Sequence, residues 1–365
     1  MKPISKTNTR SVARETRAVG IRAVAERAGV STATVSRFLN TPNAVSPELR
    51  GRIAAIIEEL GYIPDASARA LSVRRTKTIG AIIPTVDNAM FARGLQALQS
   101  YLASQDYLLL LSTNEYDLDI ELKQARNLVS RGIDGLILRG DRHHDELRKL
   151  LASQEIPFVN VGVYEPEKPY PSIGVDNAEA GRAITRHLVG LGHRKIGMVA
   201  AMQRNNDRAQ ARLRGVLEVL DEASIPPPPE WIVQVNYKLD EARAAARYLL
   251  SLENRPTAVV CGNDVIAYGV LLEADKLGVP VPEEVSVVGF DDLEWSRHLR
   301  PSLTTIHMPT DEIWRRAGEY LVQTLAGIPA IKHHEVDFSL IVRESTTFAP
   351  DRVEGMGRSA SHHFA

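Results

Sequence analysis

Seven residues near the N-terminus could do chemistry: Ser31, Thr32, Ala33, Thr34, Ser36, Arg37 and Asn40. Their side chains are short or hydrogen-bonding, and the guanidinium of Arg37 can make two parallel bonds to a guanine edge. A helix must present them. Ser31 is placed to cap one, in which Val35, Phe38 and Leu39 point back to a core and leave Thr32, Ala33, Ser36, Arg37 and Asn40 outward. A first helix precedes it, because Ile21, Val24, Ala25 and Ala28 fall at i, i+3, i+4 and i+7. Gly29 supplies the left-handed backbone for a sharp turn between the two. Ser46-Pro47 opens a third helix, with Ile53, Ile56, Ile57 and Leu60 on its buried face and Gly61 at its end. This is the helix-turn-helix pattern, whose second helix enters the major groove of DNA. A helical hairpin that binds nothing can carry the same turn glycine, so the neighbourhood has to decide between them.

The charge distribution supports DNA. The 365-residue chain has a net charge of −1, yet residues 1–77 hold 14 Lys/Arg against six acids, leaving the remainder at −9. A basic head on an acidic body suits binding of phosphate backbone through one end. The length suggests two or three domains. One cysteine, Cys261, rules out an internal disulfide and fits a reducing compartment. No early apolar run marks a signal peptide or a membrane span, so a cytoplasmic protein is expected.

The pattern then changes along the chain. Residues 1–19 are basic and polar and are expected to form a disordered arm. The head spans 20–63. Residues 64–77 contain the Ala-rich stretch Ala66–Leu71, which favours helix but is too short to be stable alone. From Thr78 apolar runs of strand length alternate with amphipathic stretches. One series runs through TIGAIIP, YLLLLS, GIDGLILR and IPFVNVGV, and a second follows from Ala178. Continuous rather than alternating apolar strands indicate parallel sheets covered by helices on both faces. Two such series predict an α/β core, 78–349, of two open sheets with a cleft at the carboxyl ends of the strands. The Gly/Ser-rich tail 350–365 is expected to fray.

Several motifs in order resemble the lactose repressor/galactose repressor family of bacterial regulators. They include AERAGVSTATVSRFLN, VSPELRGRIAAIIEELGYIPDASARAL, IGVDNAEAG, GLGHRKIG, RLRG, RPTAVVCGNDVIA, VSVVGFDD and PSLTTIHMP, together covering roughly Ile21 to Phe348. The resemblance implies a homodimer with a periplasmic-binding-protein-like core. In that fold residues 78–177 and 308–335 form one subdomain, and 178–305 and 338–349 the other. It implies a palindromic operator in double-stranded DNA, and a hinge helix at 66–71 whose Ala68 and Leu71 meet the minor groove. It also implies a small-molecule effector in the core cleft, held by Phe91, Arg212, Tyr237, Asn263 and Asp291. That mix of aromatic faces and polar groups suits a sugar or polyol ring. Where sugar-responsive members often have Asn-Pro-Phe-Phe, this chain has Asn88-Ala89-Met90-Phe91, and Met90 makes that wall more adaptable. The tail lacks leucine heptads, so a dimer rather than a tetramer is expected.

Enzyme signatures are missing from the sequence. There is no Gly-x-Ser-x-Gly elbow, no Walker loop and no Gly-x-Gly-x-x-Gly after a strand. His143-His144, His333-His334 and His362-His363 lack zinc-ligand spacing and are expected to be solvent-facing loop or tail residues. No catalytic residue, metal or cofactor is expected. A solute-binding protein would share the core but have no use for the head, and a scaffold would use the head on protein. A steep fall of DNA affinity with salt would separate both from a DNA reader.

Overall fold

The computed structural model describes residues 19–64 and 75–350. The expected hinge contacts Ala68 and Leu71, the pair His362-His363 and nearly all of the expected arm and tail lie outside the described residues. The chain divides into two compact units, Met1–Thr76 and Lys77–Ala365.

The head contains α1 (Ile21–Ala28), α2 (Thr32–Asn40) and α3 (Pro47–Leu60). Gly29 ends α1 at φ +65°, its N–H returning to the carbonyls of Ala25 and Glu26. The Ser31 hydroxyl accepts from the Thr34 N–H at 3.2 Å and starts α2. Ser46 does the same for α3 through the Leu49 N–H, with Pro47 at the first helical position. Val24, Ala28, Val35 and Ile53 are fully or almost fully buried at the meeting point of the three helices, and Tyr62 closes the cluster. Ile57 and Leu60 flank that cluster rather than forming its centre.

The second unit is two lobes. In the first, a parallel sheet runs β2 (Leu108–Thr113), β1 (Thr78–Ile83), β3 (Gly135–Arg139), β4 (Phe158–Val161), β5 (Ser172–Gly174) and β11 (His333–Glu335). In the second the order is β7 (Ile232–Val235), β6 (Ile196–Ala201), β8 (Ala258–Cys261), β9 (Ser286–Asp291), β10 (Thr304–His307) and β12 (Ser339–Ile341). Its last strand is antiparallel to β10. Every residue of β6, β8 and β9 is buried, which is why these strands read as unbroken apolar runs. The apolar β2 differs: it is the sheet edge, and Leu108 is 66% exposed.

The first lobe is completed by α4 (Ala89–Ser104), α5 (Leu118–Ser130), α6 (Asp145–Ser153) and α11 (Thr310–Leu325). The second carries α7 (Asn177–Gly190), α8 (Asp207–Glu222), α9 (Leu239–Leu250) and α10 (Asp264–Leu277). Helices α7 and α8 cross backbone to backbone. A Cβ on Gly215 would collide with the Ala178 carbonyl, and one on Gly181 with the Arg212 carbonyl. Because α11 packs on α4, with Trp314 over Gly94, and β11 and β12 separate to different sheets, the chain passes between lobes three times.

The histidine expectation is corrected. His143 is buried, its Nδ1 within 3.0–3.1 Å of both oxygens of buried Glu121, while Nε2 meets the Gly140 carbonyl and Asn160. Burial disfavours the imidazolium, but the Glu121 hydrogen bond and charge outweigh it and raise the His143 pKa. His144 caps α6 by accepting from the Glu146 N–H, and His333 and His334 belong to β11. Spacing could reveal none of this, because Glu121, Asn160 and β5 are remote in sequence.

Candidate functional site

In the head, Ser31, Thr32, Ala33 and Arg37 are exposed along one side of α2, and Thr34, Ser36 and Asn40 are half-buried. Asn40 Nδ2 donates to Ser36 Oγ at 3.3 Å, tying together two groups one turn apart. Ser31 Oγ and Thr34 Oγ1 lie 2.9 Å apart. The face therefore combines a rigid helix with polar groups and one free-reaching cation. The expected DNA-facing residues of α2 share one element, although the caps use part of Ser31.

The second candidate site lies between the lobes, at the carboxyl ends of the strands. Asp291 is the last residue of β9, and Asn263 follows β8 and caps α10, its Oδ1 accepting from the Ile266 N–H. Asn263 Nδ2 and Asp291 Oδ2 are buried and make no hydrogen bond of normal geometry among the described residues, although the Asn263 amide lies close enough to Asp291 to pull its pKa down. Arg212, from α8, is 3% exposed. It donates from Nε to Asn177 and from Nη1 to the Gly262 carbonyl, approaches Asp291 at 3.7 Å and lies 4.7 Å over the Phe290 ring. Tyr237 accepts from Asn206 Nδ2 at 3.0 Å and stacks on Tyr116 of the other lobe, with centroids 6.2 Å apart. Phe91 differs from these. It is 2% exposed within the first lobe's core, and the Arg139 guanidinium lies 5.8 Å from its ring centre.

Left-handed backbone clusters at this cleft. Glu115 and Tyr116 have φ +51° and +60°, and Asp291 and Asp292 have +106° and +49°. Such conformations cost about 1–3 kcal/mol each for residues with a Cβ and persist where surrounding structure imposes them. Across the cleft, the Asp141 N–H donates to Asp207 Oδ2 at 2.6 Å, and Asn205 Nδ2 donates to the Tyr116 carbonyl at 2.9 Å. The site thus lies between lobes already in contact.

The electrostatics are dominated by burial. Burial raises the Asp291 pKa against the pull of Arg212 and Arg139. Asp264, at the start of α10, is pushed up to about 8 by burial and by Asp291, although Ser296, Thr305 and the Leu293 N–H donate to it. For Asp207 burial acts upward, but Arg208 and the Asp141 N–H prevail and its pKa falls. Among the described residues no cluster of His, Cys, Asp or Glu could hold a metal ion, and no helix is long and apolar enough to cross a membrane.

Known proteins share both parts of this arrangement. Residues 20–65 match bacterial regulatory proteins of the lacI family, and residues 185–346 match the periplasmic binding protein-like domain. The HTH-type transcriptional repressor PurR of Escherichia coli O139:H28 is 34% identical over 335 residues, covering 91% of this chain and 98% of that one. The chain belongs to the lactose repressor/galactose repressor family. Its PurR relative in Aliivibrio salmonicida is 33% identical, over 86% of this chain and 93% of the relative. The lac repressor dimer bound to operator and the anti-inducer ONPF superposes with a TM-score of 0.82 at 26% identity, covering 91% of this chain and all of that one. The CelR–cellobiose complex gives 0.67 at 27% identity, covering 90% and 99%. As a member of this family the protein is a ligand-responsive, DNA-binding repressor that acts on operator DNA as a dimer.

Within that family frame, sequence reasoning missed Tyr116, Arg139 and Arg208. Arg139 left a signal: a cation ending the apolar strand GLILR lies where open α/β sheets bind ligands. Tyr116 and Arg208 left none, because Tyr116 stacks on Tyr237 across the cleft and Arg208, besides pairing with Asp207, lies against Gly140 of the other lobe.

Proposed function

We propose that the exposed face of α2 reads the operator half-site and that a small hydroxylated molecule, held between the lobes, sets operator affinity. Asn263 and Asp291 form the centre of the effector site, with Arg212 orienting Asp291 and Tyr237 forming an aromatic wall with Tyr116. The observation that carries this reading is that Asn263 Nδ2 and Asp291 Oδ2, at the ends of adjacent parallel strands, are buried with no hydrogen bond of normal geometry and with each other's side chains close by. A donor and an acceptor left unpaired in a dry site are costly unless a ligand supplies their partners. A ring hydroxyl can both accept and donate, which fits the pair, and the similar CelR structure holds cellobiose. Phe91 supports the cleft from within the core. Ala68 and Leu71 complete the proposed DNA contacts from the hinge. The protein needs no cofactor for this role and works in the cytoplasm, where its operator is.

Effector closure of the cleft biases the dimer between two states of different operator affinity. Linkage makes the effect reciprocal, so operator must change effector affinity by the factor by which effector changes operator affinity. The test is to select duplexes from a random pool and then titrate candidate sugars with and without the selected duplex. A palindrome with reciprocal coupling is the expected result. Equal effector affinity in both titrations would refute the switch. In the same assay Arg37→Ala should lose about 1–3 kcal/mol of discrimination at one base pair per half-site.

A further inference from the structure

The cleft holds three guanidiniums and two carboxylates close together, and their pairing is uneven. Arg208 bonds Asp207 at 2.6 Å, and Arg212 approaches Asp291 at 3.7 Å. Arg139 pairs with no carboxylate among the described residues. Its Nη1 reaches the Val161 carbonyl at 3.3 Å, and its Nε is buried without a partner. The guanidinium lies over the Phe91 ring and against the backbone of Gly162, in the space that a Cβ there would fill. It is therefore held in a fitted cradle rather than left loose. Burial, and then the neighbouring charge of Arg208, pull the Arg139 pKa down to about 10 against the weaker opposing pull of Asp291, so the cation remains charged at neutral pH with no carboxylate in contact with it. A buried charge without a counter-ion is strongly unfavourable, and removing the need for one would be simple by substitution.

We infer that the effector is a small polyhydroxy carboxylate, a sugar acid, whose carboxylate pairs with Arg139 while its hydroxyls meet Asn263 Nδ2 and Asp291 Oδ2. This rests on the effector-site reading above and narrows it to one chemical class. A neutral sugar would satisfy Asn263 and Asp291 but leave Arg139 uncompensated. A phosphate ester, at about −1.5 to −2 near neutral pH, carries more charge than one free guanidinium offsets and would be repelled by Asp207 and Asp291. One negative charge balances the five side chains, and the planar fork of Arg139 matches a carboxylate.

The full-length protein is titrated calorimetrically with D-gluconate, D-glucuronate and D-galacturonate, with D-glucose and D-galactose as neutral counterparts, and with D-glucose 6-phosphate. Each compound is also assayed for its effect on binding of the selected duplex. At least one acid should bind about tenfold or more tighter than its neutral counterpart and change duplex affinity. Arg139→Gln should weaken that acid by at least about 30-fold, the usual scale for removing one member of a buried charge pair. The neutral counterpart should change less than about threefold in the same variant. Arg139→Lys, which keeps the charge, should restore part of the preference for the acid even if Arg139→Gln folds poorly. Tighter binding of a neutral sugar or of the phosphate, or an acid preference that survives Arg139→Gln, would overturn the assignment while leaving the effector site standing. If none of the compounds binds or alters duplex affinity, both the acid class and the sugar-site reading fall.

Discussion

The reading head and the effector cleft solve opposite problems. The head offers an exposed α2 face built from residues within ten positions of one another, with Ser31 and Gly29 fixing the helix ends locally. The cleft assembles Tyr116, Arg139, Arg212, Asn263 and Asp291 from separate strands and helices, buries most of their polar atoms and leaves some unpaired. DNA is a large external surface that an ordered, unstrained helix can meet. On the proposed reading a small effector must instead be rewarded for entering, and the unpaired groups and strained backbone of the cleft are what it would relieve. Recognition of the large partner depends on local order, and recognition of the small one on stored imbalance.

Removing Arg212 should break this contrast most strongly. Arg212→Ala strips Asp291 of its nearest cation and leaves Asn177 Oδ1 without its donor. Effector binding should weaken by about 3 kcal/mol or more, measured calorimetrically, while the full-length variant keeps the nonspecific, salt-dependent DNA affinity of wild type. Gly215→Ala should destabilise the core by about 3 kcal/mol, because the new Cβ meets the Ala178 carbonyl where α7 and α8 touch. Denaturant unfolding should show the core transition moving and the head transition unchanged.

A pH series sharpens the comparison. The folded pKa of Asp264 is raised from 3.8 to about 8. The folded core therefore holds a proton that the unfolded chain has released, and this contribution is full below the unfolded value and lost as pH rises toward the folded one. Core stability should fall by roughly 1 kcal/mol per pH unit between pH 6 and 8 from this group. Asp264→Asn should flatten the slope relative to wild type. An identical slope in the variant would show that another group is responsible. The smallest effect belongs to the head: Ser31→Ala removes the α2 cap and should cost about 1 kcal/mol of head stability, with effector affinity unchanged.

The same contrast explains what the sequence made legible. α1, α2 and α3 could be read because their caps, turn glycine and apolar period are local signals. The strands β1, β6, β8 and β9 could be read because burial on both faces demands unbroken apolar runs. Asn263 and Asp291 were accessible through motifs at strand ends. The three-residue strands β5, β11 and β12 carry no period, and HHE in β11 has the composition of a loop. His143 looked like a surface residue because the partner that buries it, Glu121, lies on α5. Arg139 is a single cation whose charged neighbours Arg208, Arg212 and Asp291 all lie more than 60 positions away in the chain.

The three passages of the chain between lobes also have a consequence during synthesis. Trp314 and α11 fill the first lobe's core, yet they leave the ribosome only after the whole second lobe through β10 has been made. The first lobe cannot close on its own residues as they emerge. Through most of translation its strands, rich in leucine and isoleucine, have no final cover, so this half of the protein is where chaperone dependence and misassembly are expected to concentrate.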